Sequence, residues 1–189
     1  AGMKVVLIEA GPEVKTEAMT REAPMFLAKH YWEGGMRLVG GTSPNPAMAG
    51  RCLGGSSVVN SAIMLPLPHW VRDEWANDDG LAPVVRDASF DRAFKRVFER
   101  TRTQPTPMTV MGRRNLLMKE ALEAAGIEGS PLPRAVEACD GCADCITGCH
   151  GGAKQSVDRA YGPAFVERGG VVMTCSVGDE VLVENGRAV

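Results

Sequence analysis

Residues 50–60 read GRCLGGSSVVN, and this stretch constrains the chain more than any other. Two adjacent glycines let the backbone adopt conformations closed to other residues and approach a bound group closely. Ser56 and Ser57 add hydroxyl and amide donors, Arg51 a positive charge and Asn60 a neutral amide. That set suits a phosphate or a polar ring edge. The same residues also read as a tight turn entering a buried helix, and spacing alone does not choose.

Residues 3–9 read MKVVLIE and are followed by Ala10, Gly11 and Pro12. A short apolar run rich in β-branched residues, stopped by glycine and proline, is the pattern of a buried parallel strand. In dinucleotide-binding α/β folds an acid near the end of the second strand holds the ribose, about 20 residues after a G-x-G-x-x-G turn. Glu9 stands where that acid belongs, yet the chain contains no G-x-G. A solvated strand-end acid is the alternative. At the other end, Asn185-Gly186 between apolar runs predicts a hairpin over 180–189. Strand-like segments at both ends lead us to expect a fragment of a longer protein.

Between the ends the chain holds 22 glycines among 189 residues, about 12% against roughly 7% on average. Gly34-Gly35, Gly40-Gly41 and Gly54-Gly55 mark 34–57 as loop backbone. Residues 13–33 fit a helix or a long loop. The run 58–65 is apolar enough to be buried, and 66–83 reads as a surface excursion in which Trp70 and Trp75 pack. Phe90, Phe94, Val97 and Phe98 share one face of a predicted helix over 89–100, with Ser89 as its cap. A second helix is predicted over 113–125, stopped by Gly126. Residues 129–138 form a proline-rich linker, 157–168 a helix with Asp158 near its start, and 171–177 a strand. Strands and helices alternate with long insertions, so the class is α/β or α+β.

Cys139, Cys142, Cys145 and Cys149 follow the spacing C-x2-C-x2-C-x3-C. Iron–sulfur runs share it, because thiolates of a compact loop converge on one cluster. Zinc bound by four thiolates and plain redox-labile thiols are the alternatives. Cys52 and Cys175 are expected to be buried residues without ligand chemistry. Lys154 could face a phosphate or neutralise thiolates, or lie on the surface.

Lys and Arg number 21 against 23 Asp and Glu. That balance gives no electrostatic reason to expect nucleic acid as a partner. No apolar run approaches the length of a membrane-spanning helix. No export signal is visible, and a cytoplasmic location is the expectation.

Residues 50–60 closely resemble the signature of the glucose–methanol–choline (GMC) family of FAD-dependent oxidoreductases. Residues 3–12 resemble that family's second strand, and 171–189 its strand and hairpin after the central insertion. GAKQS at 152–156, with Tyr161 and Ala164, is similar to a branch carrying several cysteines here. The resemblance implies a partial Rossmann-like FAD-binding domain, lacking its first strand and glycine-rich turn, with a helical insertion. It implies FAD contacts from Glu9, Arg51, Gly54, Gly55, Ser56, Ser57, Asn60 and the backbone near Val177. The expected organisation is FAD-binding residues 1–65, an insertion over 66–138, a cysteine-rich loop over 139–156 and a return to the FAD domain over 157–189.

Some family members attach FAD through a His immediately before the Asn. Val59 occupies that position, so non-covalent FAD is expected. The family has an aromatic or Ala four residues after the Asn, and a small residue or proline three later, where this chain has Met64 and Leu67. His30, His69 and His150 match no catalytic context of the family, so no catalytic residue is assigned and the fragment is expected to be inert and poorly stable alone. The parent is expected to oxidise the CH–OH group of a small alcohol by hydride transfer to flavin. Its electrons would pass to oxygen, a quinone or a redox centre. Two other readings remain open. One is an iron–sulfur electron-transfer module built on 139–149. The other is a non-catalytic fragment that docks on a partner.

Overall fold

The structure is a computed structural model and describes residues 2–188. In chain order the elements are β1 (Val6–Ile8), α1 (Ala23–His30), β2 (Leu38–Val39), β3 (Asn45–Pro46), α2 (Ser56–Val59), α3 (His69–Asn77), α4 (Ala82–Val85) and α5 (Ala88–Arg100). Then come β4 (Thr103–Pro105), α6 (Arg113–Ala124), β5 (Pro133–Ala135), α7 (Val157–Ala160), α8 (Gly162–Glu167), β6 (Val171–Met173), β7 (Val183–Glu184) and β8 (Arg187–Ala188). The class is mixed α/β with two-stranded sheets. β1 pairs with β6 in parallel, Leu7 opposite Val172, and the other three pairs are antiparallel.

The described chain divides into two compact units. The first comprises the residues up to Ser61, Asp144–Gly152 and those from Ser156 onward. Its core joins Val14, Phe26, Tyr31, Cys52, Val58 and Val59, with Met19 and Leu27 packed against them. The core therefore lies directly under the Gly-Gly-Ser-Ser turn. Pro at the start of α1 supplies a preset φ where no helical N–H bond is needed. By contrast, Val5, Val6, Leu7 and Ile8 are all exposed. A parallel strand this apolar is made to be covered on both faces.

The second unit comprises Ala62–Ala143 and Ala153–Gln155. β4 and β5 anchor it, with Ala135 N donating to Ala62 O at 2.8 Å and Gln104 Nε2 to Val136 O at 2.8 Å. On α5, Phe90, Phe94 and Phe98 stack along the helix with centroids 5.1 and 6.4 Å apart. Arg72 Nη1 pairs with Asp91 at 2.8 Å and lies over the Phe90 ring.

Several sequence expectations are corrected. Asp87 caps α5, its carboxylate accepting from Ser89 N at 2.7 Å, so Ser89 is the capped residue. The linker at 129–138 contains β5, which completes a sheet with β4. The helix expected at 157–168 is two helices broken at Tyr161, because Pro163 starts the second. The strand over 171–177 ends at Met173. Trp70 is 69% exposed and does not pack in the core, and Cys175 is exposed whereas Cys52 is fully buried. Ile63 and Leu65, in the run read as buried, are exposed. Lys154 is 2% exposed, so the surface reading fails. The hairpin forms as expected, with Asn185 and Gly186 both at positive φ. Its last residue, Val189, lies outside the described residues, as does Ala1.

Candidate functional site

Glu9 N donates to Met173 O at 2.9 Å and carries the β1–β6 pairing one residue further. The chain then turns sharply. Glu9 Oε1 accepts from Gly11 N at 2.7 Å. Gly11 is buried, and a β-carbon there would collide with the Arg51 carbonyl. Only glycine lets the end of β1 touch the 50–60 turn backbone to backbone. Leu53 N donates to Pro12 O at 2.9 Å, Cys175 N to Gly11 O at 2.9 Å and Ser176 N to Glu9 O at 2.9 Å. Three segments thus meet at the carboxyl ends of two parallel strands, the usual place for a ligand in an open α/β sheet. Val177, next in line, is exposed.

The turn closes on itself. Gly50 N donates to Ser56 Oγ at 3.0 Å, and a β-carbon at Gly50 would lie 2.6 Å from Gly55 O. Ser57 Oγ donates to Gly54 O at 2.6 Å and accepts from Val157 N at 2.9 Å. Gly54 and Gly55 have φ of +92° and +55°. Above Gly55 there is open space. Among the described residues, the N–H groups of Gly54 and Ser56 have no hydrogen-bond acceptor. Ser56 and Asn60 are exposed, Asn60 directly after α2.

Arg51 N donates to His30 O at 2.7 Å, and its guanidinium lies 5.2 Å from the centre of the Trp32 ring. Arg37 lies 5.6 Å from the same ring. Arg51 forms no ion pair among the described residues, so its charge is available to an anion. The structure therefore brings together Glu9, Arg51, Gly54, Gly55, Ser56, Ser57 and the backbone approaching Val177. Sequence reasoning missed Gly11 as a contact residue, Trp32, and Asp158, whose carboxylate lies against Gly54. Gly11 had a signal, a buried strand ending in Gly-Pro. The other two had none.

The cysteines are distributed differently. Cys139 and Cys142 belong to the second unit, Cys145 and Cys149 to the first. All four are partly buried, and none of them forms a disulfide among the described residues. In the first unit, Asp144 Oδ2 accepts from Arg21 Nε at 2.9 Å and lies 3.0 Å from His150 Nε2. The His150 hydrogen bond, with Arg21 beside it, holds the Asp144 carboxyl below the usual range. His150 is thus engaged in a clamp, and His69 is an exposed residue of α3. Val59, where a histidine would attach a flavin, is buried.

A family model described as GMC oxidoreductase matches residues 28–189. An uncharacterized GMC-type oxidoreductase of Mycobacterium tuberculosis is 28% identical over 189 residues, all of this chain and 30% of the relative. One from Sinorhizobium fredii is 28% identical over 191 residues, all of this chain and 37% of the relative. A long-chain-alcohol oxidase of Arabidopsis thaliana is 28% identical over 188 residues, 98% of this chain and 25% of the relative. The chain spans about 30% of the length of the mycobacterial relative.

Proposed function

This chain belongs to the GMC oxidoreductase family, and from that membership we propose that it forms part of the FAD site of an enzyme oxidising alcohols. The observation that carries the proposal is the meeting of Glu9, the Arg51–Cys52 backbone and the Gly54–Ser57 turn at one strand end. The donor set fits a flavin dinucleotide. Unspent N–H groups at Gly54 and Ser56 and the Arg51 guanidinium, which lies over the Trp32 ring and forms no ion pair among the described residues, suit a diphosphate. The Glu9 carboxylate has an oxygen left over from its bond to Gly11 and suits ribose hydroxyls.

Bound FAD supplies the hydride acceptor. This chain's residues bind and orient it. Arg51 and the turn amides would hold the diphosphate, Glu9 would hold the ribose, and the backbone near Val177 would serve the adenine. Val59 leaves the flavin without a covalent attachment at that position. Among the described residues none is assigned as the proton acceptor for the alcohol, and no turnover is expected of this chain alone. Similarity to long-chain-alcohol oxidases supports an aliphatic alcohol as the substrate class.

The test is the visible spectrum of the whole purified protein, followed by turnover assays on primary alcohols of increasing chain length. Bands near roughly 370 and 450 nm, released by acid, are expected of a non-covalent flavin. A colourless protein that takes up no added FAD would overturn the proposal.

A further inference from the structure

The hydroxyl of Tyr31 has one hydrogen and two carbonyl acceptors. It donates to Ile146 O at 2.7 Å, between Cys145 and Cys149, and reaches Val59 O at 3.3 Å, at the end of the Gly-rich turn's helix. The ring is 4% exposed and packs in the core of the first unit. Its backbone is pinned on both sides, N–H donating to Leu27 O at 3.1 Å and a β-bridge joining it to Gly50. The hydroxyl therefore has little room to seek a third partner. Burial, with Cys52 nearby, raises the phenol above its usual range, which keeps the hydrogen in place. One hydrogen serves one carbonyl at full strength, and the shorter contact is the stronger.

We propose that Tyr31 is a positioning residue that couples the cysteine loop, residues 144–152, to the Gly-rich turn by sharing its hydroxyl hydrogen between Ile146 O and Val59 O. The loop is held near Tyr31 by Arg21 on Asp144 and by Cys149 N donating to Met19 Sδ at 3.0 Å. When the loop retreats, the hydrogen passes to Val59 O, the carbonyl directly before Asn60, and pulls on the end of α2. When the turn is fixed by a ligand, the hydrogen stays on Ile146 O and the loop tightens. Coupling of this kind is reciprocal. The inference rests on the turn being the flavin site, and its test separates the two.

The experiment is amide hydrogen exchange on the whole protein, wild type and Tyr31→Phe, first without and then with added FAD. The reporters are Thr147 and Cys149 in the loop, and Ser57 and Val58 at the turn. Without FAD, Tyr31→Phe is expected to speed exchange in both segments by about three- to tenfold, the weight of one hydrogen bond. Unchanged exchange in either segment overturns the coupling whatever the flavin does. With FAD, the wild type is expected to slow exchange in the turn and in the loop, the variant in the turn alone. Equal slowing of the loop in the variant overturns the coupling. FAD that slows neither segment of the wild type overturns the flavin site, while the flavin-free comparison still decides the role of Tyr31. Arg21→Gln provides a second perturbation at an exposed residue, in case Tyr31→Phe does not fold. It is expected to loosen the loop and, with Tyr31 intact, to change exchange at Ser57 and Val58. A loosened loop beside an unaltered turn overturns the proposal.

Discussion

Gly54 rests its bare α-carbon against the carboxylate of Asp158: a β-carbon at Gly54 would stand 2.6 Å from Asp158 Oδ1 and 2.8 Å from Val58 Cγ2. Oδ1 is itself buried without a hydrogen-bond partner among the described residues. The turn is therefore closed from beneath by an acid that leaves no room for a side chain.

Replacing Gly54 by Ala is expected to destabilise the first unit, with about 1–3 kcal/mol coming from backbone strain at positive φ alone and the collision adding to it. Gly55→Ala meets open space and carries only the strain. Denaturant unfolding of both variants checks the order. An equal loss in the two would remove the role given to Asp158.

Glu9→Ala is expected to weaken FAD binding about tenfold, the scale of one hydrogen bond to a charged group. The variant should fold, because Glu9 is at the end of an exposed strand. Flavin fluorescence titration of the whole protein reads the constant. Unchanged affinity would take Glu9 out of the site.

His30 makes stability depend on pH. Burial, then Lys29, lowers its pKa from the ordinary 6.5. Its Nδ1 is buried without a partner, so a proton added there finds no acceptor. Below pH 6.5 the unfolded chain takes up a proton that the folded chain refuses, so stability falls as pH drops through that window. Melting temperatures between pH 7.5 and 5.5 (roughly spanning the His range) should decline in the wild type and flatten in His30→Gln. Parallel curves would exclude His30 as the cause.

Asp87→Ala is expected to reduce the helicity and melting temperature of the second unit, since the Asp87 carboxylate caps α5 through Ser89 N. The Ser89 hydroxyl first, and then the Ser89 N–H, lower the Asp87 pKa from its ordinary value. The contribution is present above the unfolded carboxylate's pKa and is lost as pH falls through the lowered folded value. Ser89→Ala is expected to cost less than Asp87→Ala, because it removes the hydroxyl contact but leaves the Ser89 N bond to the Asp87 carboxylate in place. A larger effect at Ser89 than at Asp87 would reverse the assignment of the cap.

What the sequence determined is whatever local chemistry dictates. Asn185-Gly186 made a hairpin because both residues accept positive φ. Within MKVVLIE the segment Val6–Ile8 made a strand because it is apolar and Val6 and Ile8 are β-branched, and GRCLGGSS made a turn because a β-carbon would collide at Gly50 and Gly54 and because Gly54 and Gly55 have positive φ. Glu9 and the turn were legible as partners only through the resemblance to a family. The contacts that join them run through Gly11, Pro12 and the backbone of Cys175 and Ser176, groups with no side-chain signal. The tertiary structure alone decided that Asp158 lies under Gly54, that Tyr31 reaches residues 28 and 115 positions away, and that Lys154 is buried. It also decided that four closely spaced cysteines fall into two different units. Each of these depends on which distant segment arrives at a given place, and that is set by the packing of whole elements rather than by the residues beside them in the chain.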